Sequence, residues 1–210
     1  MFSFLSKENM TVNEFIQQIN EEGIYLNMAE KVALIEHGEI SVDDVFRIVL
    51  NNNEPEAFYA CWILNHYVDN HKFALENSLN EAVELLPNIK RSGLLRLVLR
   101  LFVITPNWKI EKLGLLLDFC INSLTDMTIP VGVKTHAMSI IDRIAETEPE
   151  IRDEVLLVVE EIYPYLSTGG KNRAGKIIKK YKKECAEGKL AVVVARLIFQ
   201  KNQNYGALPK

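Results

Sequence analysis

Cysteine is scarce: Cys61, Cys120 and Cys185 are odd in number, widely separated and without a Cys-x-x-Cys. That argues against a disulfide framework or a thiolate metal site and predicts reduced thiols in a cytoplasmic protein. Long apolar runs are missing as well. The most apolar stretch, Gly93 to Thr105, is interrupted by Arg96 and Arg100 and falls far short of the ~20 residues a membrane span requires. Met1 to Met10 holds no apolar stretch of signal-peptide length and gains charge at Lys7 and Glu8, so neither a leader nor a membrane partner is expected.

Signatures of catalysis are also lacking. There is no Gly-x-x-x-x-Gly-Lys and no Gly-x-Gly-x-x-Gly, and no serine stands in a nucleophile elbow. The histidines His37, His66, His71 and His136 form no His-Glu-x-x-His, and the spacing of His66 and His71 does not put them on one helix face. No metal, cofactor or catalytic residue is therefore expected. Trp62, close to Phe58, Cys61 and Tyr67, reads as core packing, and Trp108 after Pro106-Asn107 as a helix-flanking residue.

Strand alternation is rare, and nearly every segment has a helical period. Thr11 with Glu14 has the spacing of a capping box, and Asn27 with Glu30 and Ser41 with Asp44 offer two further helix starts. Pro55 suits the first turn of a fourth helix that runs to about Asn70. Further helices are expected over 73–86, 91–103, 111–124, 131–146, 149–163, 171–184 and 190–200, separated by prolines and by Gly169-Gly170. Short connections make consecutive helices antiparallel neighbours.

The chain also resembles itself. A shift of 77 residues brings Ala60 onto Ala137, Leu64 onto Ile141 and Ala82 onto Val159. A helix pair cannot bury its apolar face alone, so repetition of this kind implies stacking. The expected fold is all-α, an α-α superhelix of about 9–11 antiparallel-paired helices in one solenoid domain over 1–210. Within it, residues 1–53 supply N-terminal helices, 54–126 a first repeat unit, 127–200 a second and 201–210 a tail.

The stretch from Ile129 to Met138, the stretch from Ala145 to Ile151 and the earlier Ala60-Cys-Trp-Ile-Leu64 resemble HEAT/armadillo-like helical repeats, in particular short bacterial HEAT-like proteins of unknown function. The resemblance covers roughly residues 55 to 183 and implies the fold, not an activity.

Charge is unevenly spread. The net charge is −4, yet residues 1–60 sum to −8, 61–164 to −5 and 165–210 to +9. From Lys171 to Lys183 there are seven bases and no acid, and Arg173, Lys176, Lys180 and Lys183 share one helix face while Ile177, Ile178 and Tyr181 occupy another. These four are the candidate binding residues, for a polyanion or nucleic acid or for acids elsewhere in the fold. The reading is a non-enzymatic interaction or scaffold module with a protein partner. The alternative is nucleic-acid binding through the basic helix, in the manner of HEAT-like DNA glycosylases, and a third is an enzyme whose residues meet only in space.

Overall fold

Three helix starts are held by side chains that stand one residue ahead of them. In the computed structural model, which describes residues 10–184, Thr11 Oγ1 accepts from the Glu14 amide at 3.3 Å and Glu14 returns a bond to the Thr11 amide at 2.8 Å. Asn27 accepts from the Glu30 amide at 3.4 Å, and Ser41 from the Asp44 amide at 3.0 Å. Each removes an orphan donor from a helix terminus, an effect of about 1 kcal/mol. The helices that follow are α1 (Val12–Glu22), α2 (Met28–Glu36) and α3 (Val42–Leu50). Gly23 closes α1 at φ +55°, in the left-handed region.

Then come α4 (Glu56–Asn70), α5 (Leu79–Leu85), α6 (Ser92–Ile104), α7 (Leu113–Thr125), α8 (Val131–Thr147), α9 (Arg152–Ile162) and α10 over residues 168–184. Helices take up 77% of the described residues, which include no strand. The fold is an all-helical α-α repeat. Several expected starts move, among them that of α10, which begins at residue 168 and so takes in Gly169 and Gly170, expected to separate helices. Pro55 stands one residue before α4 instead of within its first turn. The helix expected from residue 73 begins at Leu79, because 72–78 forms successive turns with Ala74 bonding His71 and Ser78 bonding Leu75. The segment expected to form a helix over 190–200 and the tail over 201–210 lie outside the described residues.

The chain forms two compact units, Met1–Ile140 and Ile141–Lys210, with the boundary inside α8. In the first, α4 packs against α1, α2, α3 and α6. It buries Ala57, Ala60, Cys61, Ile63, Leu64 and Val68, while α6 buries Leu94, Leu97, Val98, Leu101 and Phe102. Asn65 is the polar exception within this core. Its Nδ2 donates to Cys61 O at 2.8 Å and Leu97 O at 3.1 Å, which fastens α4 to α6. The contacts also fix direction. Phe58 meets Gly93, Asn65 meets Leu97 and Asp69 meets Arg100, so α4 and α6 run parallel with α5 returning between them.

In the second unit Ile141, Ile144, Ala145, Val155, Val159, Ala174, Ile177 and Tyr181 are buried. Each fully buried Leu, Ile or Phe contributes about 1.5–3 kcal/mol, against 0–1 kcal/mol for an exposed ion pair. Stability therefore rests on the apolar core, and most surface groups are free to serve other ends.

Candidate interaction surface

Helix α4 buries positions 57, 60, 61, 64 and 68, and this directs Phe58, Trp62 and His66, each four residues apart, to another side. Their rings form a row, with centroids 6.3 Å apart from Phe58 to Trp62 and 6.3 Å from Trp62 to His66. Trp62 is thus half-buried in a surface row and not a core residue: the helical period separates it from its buried neighbour Cys61. Arg91 lies 3.9 Å over the Phe58 ring and pairs with Glu54 at 2.7 Å.

Helix α6 supplies Gly93, Arg96 and Arg100 at spacings of three and four. Arg100 donates to both carboxylate oxygens of Asp69, at 2.9 and 3.1 Å, and to Asn65 Oδ1 at 3.0 Å. With Nη2 on Asp69 and Nη1 on Asn65, both terminal nitrogens are engaged and the orientation of the guanidinium is fixed. Arg96 is exposed, and among the described residues it has no ion pair or hydrogen bond. Its stem crosses α8 at Gly132, where a Cβ would stand 2.8 Å from the Arg96 Cδ. One turn along α8, His136 is half-buried. Burial, and then the charges of Arg96 and Arg100, push its imidazole down to about 4, so it is neutral at pH 7.

The basic helix presents a different arrangement. Ile177 and Tyr181 are buried, while Arg173 and Lys180 turn to acids of their own unit. Asp142 accepts from Lys180 at 3.0 Å, from Arg173 at 3.5 Å and from the Tyr181 hydroxyl at 2.8 Å. Lys180 also reaches Glu146 at 2.5 Å, and Lys182 reaches Glu160 at 2.6 Å. Burial, then the bond to Asp142, pushes the Tyr181 hydroxyl pKa upward. Lys176, Lys179 and Lys183 are exposed.

The remaining sequence candidates fall into local roles. His71 stacks on Tyr67 with centroids 4.3 Å apart and stands 3.8 Å from Glu36. The Trp108 indole donates to Phe102 O at 2.7 Å. Gly169 and Gly170 lie in the first turn of α10. Cys61 and Cys120 are buried thiols whose pKa values burial raises. Among the described residues no three His, Cys, Asp or Glu side chains are grouped to hold a metal, and no helix is long and apolar enough to cross a membrane.

A family model described as a HEAT repeat domain matches residues 13–181. The chain belongs to that family. No curated protein and no solved structure matches it. In HEAT repeats each helix pair buries itself against its neighbours, so an outward side of successive pairs is left to solvent. In the first unit of this HEAT repeat protein that side carries the row on α4, α6 and residues 131–140 of α8. Sequence reasoning missed it because no single helix contains it. Two local signals were present: the four-residue spacing of Phe58, Trp62 and His66, and the arginines that break the apolar stretch of α6.

Proposed function

We propose that the chain is a non-enzymatic HEAT-repeat scaffold that holds a partner protein on the row formed by α4, α6 and residues 131–140 of α8. The observation that carries this reading is the row's composition and rigidity. Aromatic rings and arginines are the side chains that concentrate binding energy at protein interfaces. Here Phe58 lies under Arg91, and Arg100 is held by Asp69 and Asn65. Groups already held in one conformation lose little entropy on binding. We place the module in the cytoplasm, where free Cys61 and Cys120 would stay reduced. The division into repeat units over 54–126 and 127–200 belongs to the same proposal, supported by the full burial of both Ala60 and Ala137.

The test is site-specific photo-crosslinking in the host cell. A photoreactive residue at His66 should give a discrete crosslinked protein, and one at exposed Glu81 of α5 should not. Equal yields from both positions would remove the row from consideration.

A second reading is that α10 binds a polyanion. The exposure of Lys176, Lys179 and Lys183 favours it. Salt-sensitive retention on heparin tests it.

A further inference from the structure

We propose that the row takes an acidic peptide segment of the partner, with one carboxylate held by Arg96 beside His136 and an adjacent flat apolar side chain laid on Trp62. This rests on the reading of the chain as a protein-binding module and gives that partner its chemistry.

Charge complementarity carries the choice of occupant. The row contains three arginines and two acids, and the acids are already engaged, Glu54 with Arg91 and Asp69 with Arg100. What remains is one cation, Arg96, which one carboxylate neutralises. Packing positions that cation: the missing side chain at Gly132 opens the place where the Arg96 stem lies, and an alanine there would force the stem aside. A guanidinium presents two parallel N–H groups to a carboxylate, a geometry that lysine does not reproduce. His136, one turn beyond Gly132, adds an imidazole that can hydrogen-bond without adding a charge. On α4, between Phe58 and His66, the half-buried Trp62 ring offers a flat surface with a polar edge, suited to an aromatic or aliphatic neighbour of the acid.

A nucleic acid fits less well. It gains affinity by placing several phosphates against several cations, and the row has one unmatched cation. The same unit also includes the segment 1–60 with its net charge of −8, and that repulsion grows with each charge brought, so it disfavours a polyanion more than a peptide segment with a single carboxylate.

The experiment pans the full chain against a displayed library of random peptides. A selected peptide is then synthesised and titrated against the wild-type, Arg96→Glu and Arg96→Lys chains, with single-stranded and duplex oligonucleotides measured alongside. The expected result is a selected consensus with Asp or Glu beside an aromatic or aliphatic residue. Its Kd should weaken by about tenfold or more in Arg96→Glu and by less in Arg96→Lys. Melting temperatures should stay unchanged, because Arg96 is exposed. A consensus without an acid, or affinity indifferent to Arg96→Glu, overturns the acidic-peptide inference and leaves the module reading standing. Oligonucleotide binding in the absence of peptide binding overturns both. A chain that binds neither class overturns this inference, and the crosslinking experiment then decides the module reading by itself.

Discussion

Helices α6 and α10 both project cations at spacings of three and four, yet the two sets differ in what the fold does with them. In α10, Arg173, Lys180 and Lys182 each meet an acid of their own unit, and Asp142 alone receives Arg173, Lys180 and Tyr181. In α6, Arg100 is matched by Asp69 while Arg96 has no ion pair among the described residues. The number of charges is therefore a poor guide to which helix binds a ligand. A cation already matched inside the fold contributes to structure, and removing its partner costs stability. An unmatched cation held in place by packing costs little to keep and is available to an outside anion.

The sharpest way to break this comparison is to remove the acids. Asp142 is the more enclosed, with its side chain 17% exposed against 46% for Asp69. Asp142→Ala withdraws an acceptor from the buried Tyr181 hydroxyl and from two cations, although Lys180 keeps Glu146 and Tyr181 keeps the Asp142 carbonyl. A loss of about 2 kcal/mol is expected. Asp69→Ala should cost no more than about 1 kcal/mol, as exposed pairs do. Denaturant unfolding measures both. Equal losses would mean that the α10 pairs are no more structural than the pair on α6.

What could be read from the sequence follows from how local each signal is. The caps at Thr11, Asn27 and Ser41 were legible because donor and acceptor lie within three residues of each other. The end of α4 at Asn70 was legible for a similar reason. Residues 73–78 misled because Leu75 and Leu79 keep a helical spacing while the backbone bonds in turns of three. The row was illegible because Trp62, Arg96 and His136 lie on three helices, and only packing brings their helices side by side. For α10 the inward Ile177 and Tyr181 were predictable, whereas Ile178, expected beside them, is half-buried, and the acids that Arg173 and Lys180 find on α8 were not legible.

Acid pH sharpens the comparison from the side of α6. His136 binds its proton more weakly in the folded chain, at about 4 against 6.5 for the free side chain. Its contribution is therefore fully present above pH 6.5 and is lost progressively as the pH falls toward 4. Stability should decline through that window in the wild type and decline less in His136→Gln. Hydrogen bonds from Thr11 and Thr128 lower the carboxyl groups of Glu14 and Asp126, and the difference between the wild type and His136→Gln isolates the imidazole from them. Replacing Arg96 with Gln removes one of the two charges that depress the imidazole. The imidazole pKa should then rise, so that the decline becomes smaller and ends at a higher pH, a change that NMR titration of His136 reads directly.

The smallest stability effect is expected where the comparison allows α10 a ligand. Lys176 and Lys179 are exposed, and exposed lysines contribute within about 0.5 kcal/mol, so Lys176→Gln with Lys179→Gln should leave the melting temperature nearly unchanged. Arg173→Gln with Lys180→Gln should lower it, because among the described residues Asp142 then keeps only Tyr181 as its donor and loses both cations that neutralise it. Heparin separates the two roles. If α10 takes a polyanion, the first pair of substitutions weakens retention and the loss shrinks as salt rises, since screening at physiological strength already acts within ~8 Å. If the first pair leaves retention unchanged, the exposed lysines are only a solvated face. The unmatched cation of the first unit would then be the better place to look for a partner.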